Sequence, residues 1–434
     1  MSKVKTSVHP VKFANKAKKD NLSIFIDEYR RVAQLVVDSI WENGYTWEDK
    51  QGTHKFSVQE NLLYFPSFVK YNKFEINTFL TARSLDSVVT QIAGMISAET
   101  EKQRKRIYVL QVQKEEGKTK KQRKLLANKI KQNIPVKPNC SNINVEISSK
   151  CCDWQETNGE FDGYLRLKSI TKTKMEIRIP IKFHKHSRKL ARDSEQLTSY
   201  LISKSNINIR WKKELPPKKE NGKIVGCDQG MKDVLTCSDR QVTPKTDIHG
   251  HSLESIIRKL ASKKKWSIAF KRGQSHRTNF INWSINRLNL NNIKEIRLER
   301  IWNIGYKSRT SRVMSHWTNT LIRDKVEAIC EENGVHLIHQ SSTYMSQRCS
   351  DCGVVRKANR KGKTYMCKHC GLEIDADLNA SFNHALNLPE VPWTLRKKQI
   401  NRGNGFYWLE TGFYEFETGR SLESLPHVED KCHI

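Results

Sequence analysis

Four cysteines near the C-terminus fall into two close pairs, Cys349-Ser350-Asp351-Cys352 and Cys367-Lys368-His369-Cys370, each followed directly by a glycine, Gly353 or Gly371. A two-residue gap within a tight turn presents both sulfurs of a pair to one ion. Tetrahedral zinc takes four such thiolates at about 2.3 Å. Glycine after each knuckle supplies the backbone freedom that these turns need. The alternative is two unrelated CxxC pairs, one of them redox-active. The two glycines in phase favour one structural Zn²⁺ held by Cys349, Cys352, Cys367 and Cys370, since four protein thiolates leave no open position for catalysis. Arg348 and Lys368, beside the knuckles, are expected to lower the thiol pKa values. His369 reads as a surface residue rather than a fifth ligand.

Three acids form a second constellation. Asp228 ends the apolar run Ile224-Val225-Gly226-Cys227, Glu299 ends Ile296-Arg297-Leu298, and Asp377 opens a short helical pattern after Ile374-Asp375-Ala376. Each sits where a strand or ribbon ends, a position from which side chains reach a shared cleft. Phosphodiester hydrolysis by a two-metal route needs hard oxygen ligands delivered by separate elements around ions about 4 Å apart. Taken singly, Asp228 could cap a turn, Glu299 could be a solvated strand end, and Asp377 could be a helix N-cap. Glu295 competes with Glu299, and Asp375 with Asp377.

The elements that must position these groups are legible in outline. Residues 1–15 suggest one strand, and Asn21 to Gly44 and Phe79 to about Tyr108 carry helical apolar spacing. Lys102–Lys131 reads as a charged helix or helix–loop–helix. Alternation then predicts strands at Asn144–Ile147, Tyr164–Leu167, Met175–Ile181 and Asn206–Trp211. The expectation is a small β-barrel or open sheet (1–15 and 136–218) interrupted by a helical module (16–135). From Gly222 the elements alternate. Lys223–Cys227, Val234–Cys237, Ile293–Leu298 and Val335–His339 read as strands, and Ser252–Arg272, His276–Leu290 and Val313–Glu332 as helices. This is an α/β domain over 219–345 and 372–388, with the cysteine ribbon inserted at 346–371. The tail 389–434 lacks periodicity and is expected to be partly disordered.

Lys and Arg number 77 against 46 acids, so the formal charge is 77 − 46 = +31. Such self-repulsion fits a polyanionic partner, because each phosphate contact releases condensed counterions. Lys120, Lys121 and Arg123 in one basic run, and Lys263, Lys264 and Lys265 in another, are the candidate contacts, although basic runs are commonly solvated faces. No stretch resembles a membrane-spanning helix, and Met1-Ser2-Lys3-Val4-Lys5 lacks a signal-peptide core. Eleven cysteines without a regular framework argue against a disulfide scaffold and for a cytosolic protein with reduced thiols.

The ordered string Gly226-Cys227-Asp228-Gln229-Gly230, Glu299, Ser346-Gln347-Arg348-Cys349, Cys367-Lys368-His369-Cys370 and Asp377-Leu378-Asn379-Ala380-Ser381 resembles the TnpB proteins and the miniature type V CRISPR effector nucleases. The likeness is specific over roughly 222–388 and architectural over 1–218. It implies a multidomain α+β chain, with a wedge β-barrel carrying an inserted helical recognition lobe. An RNase H-like (RuvC) α/β nuclease domain with an inserted target-nucleic-acid-binding zinc ribbon would follow. It further implies that Asp228, Glu299 and Asp377 hold two catalytic Mg²⁺, that Arg348 steadies a phosphate, and that guide RNA and target DNA are the partners. The setting implied is the prokaryotic cytosol or nucleoid, with one chain or a homodimer per guide. Departures are Asp-Gln-Gly for Asp-Leu-Gly, Arg300 after the Glu, Met345-Ser346 for Thr-Ser, and Asn-Ala-Ser for Asn-Ala-Ala. None removes a metal ligand, so an RNA-guided DNA endonuclease is expected. A nuclease-dead RNA-guided repressor and a transposase-type DNA-joining enzyme are the alternatives.

Overall fold

The computed structural model describes residues 2–115, 120–173, 175–301, 311–398 and 400–422. It divides into two compact units, Ser2–Glu214 and Leu215 onward.

The first unit begins with β1 (Ser2–Pro10) and α1 (Lys16–Asn43). Asn15 caps α1 by accepting from the Lys18 amide at 3.0 Å, and one face buries Leu22, Phe25, Ile26, Tyr29, Val32, Val36 and Ile40. A hairpin follows, β2 (Tyr45–Asp49) with β3 (Gly52–Phe56). The helical reading of 16–135 does not anticipate it. Its signal is the Asp49-Lys50-Gln51-Gly52 turn between aromatic, alternating arms, with Gly52 at φ +126°. Next come α2 (Ala82–Glu115) and the basic α3 (Lys120–Gln132), which buries no residue. Lys118 of the basic run lies outside the described residues.

Five strands and a helix complete this unit up to residue 202: β4 (Val145–Ile147), β5 (Cys152–Glu156), β6 (Gly163–Leu167), β7 (Ile177–Ile181), α4 (Lys185–Asp193) and β8 (Glu195–Ile202). The last strand is β9 (Asn206–Glu214). The N-terminal strand does complete a sheet, in the order β1-β9-β8-β4, while β5-β6-β7 form a second. Among the described residues of this unit the β elements therefore make two larger antiparallel sheets beside the β2–β3 hairpin. Both share one core with α1 and α2, so the helical insert packs into the same body as the strands that flank it.

The second unit contains β10 (Lys223–Gln229), β11 (Leu235–Cys237), α5 (Leu253–Ala261), α6 (Ile268–Ile285), β12 (Ile293–Arg300), α7 (Asn319–Glu332) and β13 (His336–Ser341). The sheet order is β11-β10-β12-β13, with β10–β11 antiparallel and the other two pairings parallel. Two helix boundaries differ from the sequence reading. The helices predicted at 252–272 and 276–290 break instead at 262–267, where Trp266 adopts φ +69° and Ser267 caps α6. The helix predicted from Val313 begins at Asn319. Met314–His316 is a 3-10 turn and Trp317 is extended (ψ 116°), so its apolar spacing packs without α-helix.

Beyond this sheet lie the ribbon strands β14 (Val354–Val355), β15 (Arg360–Lys361), β16 (Thr364–Met366) and β17 (Glu373–Asp375), then α8 (Ala376–Ala385). The tail is expected to be partly disordered, yet its described residues up to 422 include regular elements. It forms α9 (Trp393–Lys398), β18 (Phe406–Leu409) and β19 (Gly412–Glu415). Strand β18 pairs with β14 of the ribbon, and Met345, Val355, Val391, Leu395, Phe406, Trp408 and Phe413 form a small core of their own. Residues 423–434 lie outside the described residues. No helix among the described residues is long and apolar enough to cross a membrane.

Candidate active site and metal centres

Asp228 and Glu299 leave the sheet side by side. Cys227 pairs with Leu298 in the parallel β10–β12 ladder, so the two acids occupy the next positions at the C-terminal ends of adjacent strands. Ligands of open α/β sheets gather at such ends. Gln229 fixes the pair by donating from Nε2 to the Glu299 carbonyl at 2.8 Å.

The third acid arrives on α8. Asp375, not Asp377, is the N-cap, its Oδ1 accepting from the amides of Asp377 (2.9 Å) and Leu378 (3.1 Å). That leaves the Asp377 side chain free for other partners. Gly226 permits the approach: a Cβ there would lie 2.1 Å from the Ser381 carbonyl oxygen and 2.3 Å from the Ala385 nitrogen. The helix thus rests directly on the backbone of the strand that bears Asp228. Glu295, the competitor for Glu299, instead accepts from Arg297 Nε at 2.6 Å, opposite Ile224 in the ladder.

The charges reflect this proximity. Burial, then the neighbouring charges of Glu299 and Asp377, push the Asp228 carboxyl well above its ordinary range. Burial pushes Glu299 up to about 7, against the opposing pull of Gln229 and Arg360. Asp377 is buried and ion-paired to Arg360 (3.3 Å) and to Lys363, which also reaches Asp233 at 3.2 Å. Arg360 lies on β15 and Lys363 in the two-residue turn of the β15–β16 hairpin. Sequence reasoning misses both, because their place beside the acids depends on how the ribbon docks.

It misses His384 as well. Fully buried on α8, this residue is held neutral, its pKa lowered to about 4 by burial, and neither ring nitrogen has a hydrogen-bond partner among the described residues. Its ring offers a nitrogen within 4.8 Å of ligand oxygens of Asp228 and Glu299. Hard oxygens of Asp228 and Glu299 plus an orphaned imidazole fit a divalent cation site, with Asp377 beside them paired to Arg360 and Lys363.

Cys349, Cys352, Cys367 and Cys370 also converge, their sulfurs all within 4.8 Å of one another. Sγ–Sγ distances of 3.5 Å (Cys349–Cys370) and 3.6 Å (Cys352–Cys367) approach the tetrahedron edge of about 3.8 Å that zinc–thiolate bonds require. The donor set fits zinc. The expected general lowering of the thiols does not hold: burial pushes Cys349 up to about 11 and Cys352 higher, while Cys367 is lowered despite its burial by backbone N–H groups of Cys370 and His369. Loading the site therefore displaces protons.

Arg348 is not where a phosphate could reach it. It is 4% exposed, with its guanidinium donating to the carbonyls of Trp408 (2.8 Å) and Cys349 (3.1 Å) and to Asn383 Oδ1 (2.6 Å). Three backbone or amide acceptors consume it, so it braces the ribbon rather than facing solvent. Its counterparts are Asn379 and Asn383, one turn apart on α8. Asn379 accepts from the Ser350 amide and donates to the Arg348 carbonyl. Asn383 donates to the carbonyls of Met345 and Arg348. The Asp-Leu-Asn-Ala pattern thus serves two purposes: the acid faces the cleft, and the asparagines clamp the first knuckle.

The remaining candidates are exposed. Lys120, Lys121 and Arg123 lie on α3, and Lys263, Lys264 and Lys265 on the loop between α5 and α6, beside Trp266, which is 85% exposed.

A family model described as "Cas12f1-like, TNB domain" matches residues 321–384, which take in most of α7, β13, the ribbon and most of α8. The chain is 37% identical over 92 residues to the CRISPR-associated endodeoxyribonuclease Cas12f1 of Sulfoacidibacillus thermotolerans, covering 21% of each protein. It is 31% identical over 91 residues to a TnpB-like protein of Aquifex aeolicus, covering 20% of this chain and 30% of that one. The match therefore spans between a fifth and a third of these curated relatives. Among solved structures, a Cas12f1–sgRNA–target DNA complex aligns with 89% of this chain and 99% of that one, at 11% identity and a TM-score of 0.43. The segment that carries the ribbon and Asp377 is thus similar to the TNB domain of Cas12f1-like proteins, and the matched stretches are similar to a miniature type V effector and to a TnpB-like protein.

Proposed function

We propose that this chain is an RNA-guided DNA endonuclease whose active site is an RNase H-like (RuvC) pocket of Asp228, Glu299 and Asp377. The observation that carries the reading is the convergence of these acids from β10, β12 and α8, with two adjacent strand ends supplying neighbouring carboxylates. The sheet order, a hairpin continued by two parallel strands with α8 laid on the first, supports the RNase H-like assignment. Homology to a protein named as an endodeoxyribonuclease supports DNA as the substrate.

Two Mg²⁺ held by the acids would supply an activated water and neutralise charge on the departing 3′ oxygen. The chain's own groups prepare for that. Asp228 and Glu299 present hard oxygens in a partly desolvated cleft that resists two bare negative charges, so the pocket favours cation uptake. His384 adds a neutral nitrogen donor at its inner wall. Arg360, already on the acid cluster, is placed to hold a non-bridging phosphate oxygen as the backbone enters. Lys363 occupies Asp377 in the absence of other cations.

The zinc ribbon is structural in this reading and docks the hairpin carrying Arg360 and Lys363 against the acids. Lys120, Lys121, Arg123 and Lys263 to Lys265 contact phosphates of guide RNA and target DNA, while base pairing reads sequence. The Ser2–Glu214 unit serves as wedge and recognition module, and the setting is a prokaryotic cytosol.

The test is to purify the chain with its copurifying RNA, sequence that RNA, and supply matched duplex DNA with Mg²⁺. Guide-dependent cleavage that disappears in Asp228→Ala is expected. Intact matched DNA under those conditions, across a library of flanking motifs, would overturn the reading.

A further inference from the structure

A second cluster of metal-ligating side chains stands apart from both the acids and the cysteines. It comprises Asp247, His251 and His276, whose ligand atoms all lie within 4.8 Å of one another. Asp247 and His251 belong to a closed turn. The Asp247 amide donates to the His251 carbonyl at 2.9 Å, Gly250 takes φ +77°, and Thr246 bridges Ser252, the cap of α5. His276 comes from the middle of α6.

The two oxygens of Asp247 are differentiated. Oδ1 accepts from the amides of His249 and His251, each at 2.9 Å. Oδ2 faces the imidazoles, 3.4 Å from His251 Nδ1 and 3.6 Å from His276 Nε2. Although His251 Nδ1 is shut off from solvent, it makes no hydrogen bond among the described residues. The two rings meet edge to face, 5.0 Å between centroids and at 83°.

We propose that Asp247, His251 and His276 form a second transition-metal site, binding Zn²⁺ or a similar borderline divalent ion. Separations of 3.4 and 3.6 Å match the edge of about 3.3–3.6 Å in a tetrahedron built on nitrogen and oxygen bonds of 2.0–2.2 Å. The amides on Oδ1 orient the carboxylate and leave its other oxygen to the ion, as outer contacts at metal centres do. Two imidazoles select a borderline metal over Mg²⁺ or Ca²⁺, which prefer all-oxygen shells. His276 also lines a cavity with Lys259, Lys263 and Arg272, whose positive charge opposes any divalent ion, so the donor set has to supply the binding energy. Three protein ligands leave the fourth position to water. The ion would pin the turn ahead of α5 to the middle of α6.

The experiment uses the full chain with its cysteine ribbon already loaded. Metal content is measured by mass spectrometry after desalting, and Zn²⁺ alone is then titrated calorimetrically. One further equivalent beyond the ribbon's zinc is expected. In His251→Ala and in His276→Ala that equivalent is lost or weakened roughly a hundredfold, while the ribbon zinc stays. Co²⁺ filling the same equivalent should show ligand-field absorption without a thiolate charge-transfer band. No further equivalent in the wild-type chain would overturn the proposal on its own. So would undiminished uptake in both variants, or a thiolate band in the cobalt spectrum.

Discussion

Arg348 and Asn383 grip each other twice. The guanidinium donates to the asparagine Oδ1 at 2.6 Å, and the asparagine amide donates to the Arg348 carbonyl at 2.8 Å. Removing either leaves buried polar groups without partners, which costs about 1–3 kcal/mol per group. Arg348→Met and Asn383→Ala should therefore lower the unfolding midpoint, measured by thermal denaturation of the zinc-loaded protein. The salt dependence of DNA binding should keep its slope in any Arg348→Met protein that remains folded. A slope reduced by about one would mean that Arg348 contacts a phosphate after all.

The acids predict a pH signature. The folded-state pKa of Glu299, about 7, exceeds its ordinary value of 4.5. Between those values the metal-free folded chain holds a proton that the unfolded chain has released, so stability falls as pH rises across that window. Glu299→Gln should flatten that part of the profile. Mg²⁺ bound there as proposed would have to expel the proton. Its apparent affinity should then climb by up to roughly tenfold per pH unit below 7, with proton release detectable in weakly buffered solution. Asp228→Asn, Glu299→Gln and Asp377→Asn should each reduce cleavage on the order of a thousandfold or more.

Gly226→Ala tests the seating of α8. The new methyl would collide with backbone, which cannot rotate away as a side chain can. Overpacking of this kind costs about 1–3 kcal/mol or more. The variant should keep its ribbon zinc and lose cleavage, because Asp377 retreats from Asp228. Wild-type rates in Gly226→Ala would show that the helix is not locked to the strand.

Lys363 is paired to Asp377, so in the proposed pocket it would compete with metal for that acid. Lys363→Met should lower the Mg²⁺ concentration giving half-maximal cleavage severalfold, read from a magnesium titration. Arg360→Ala should act differently, reducing the maximal rate with little change in the magnesium midpoint. Identical behaviour of the two variants would contradict this division of labour.

Much of this site can be read along the chain because its parts are punctuated locally. Apolar runs stop at Asp228 and Glu299, and CxxC-Gly announces each knuckle regardless of what surrounds it. Arg348 misleads because its partners lie 35 residues (Asn383) and 60 residues (Trp408) further on, and local sequence cannot reveal that distant segments enclose a cation. The same holds for Lys363, whose hairpin is polar and unremarkable until it docks. Helical spacing at Val313, Met314 and Trp317 overpredicts a helix because side chains in 3-10 and extended backbone can also turn toward a core. His384 carries no local mark either: an imidazole on a short helix gains meaning only from Gly226, which draws that helix onto the sheet.

The strand Phe406–Leu409 bears on how far this polypeptide could be shortened. It lies beyond every acid of the cleft and every cysteine of the ribbon, and a map drawn from those residues alone would discard it. Yet its Trp408 carbonyl satisfies Arg348, and its Tyr407 completes the ladder beside Val354. A chain terminated at residue 388 would keep the carboxylates, the thiolates and the imidazoles, and still lose the buttress behind the first knuckle. Miniaturisation of this polypeptide therefore has to start elsewhere.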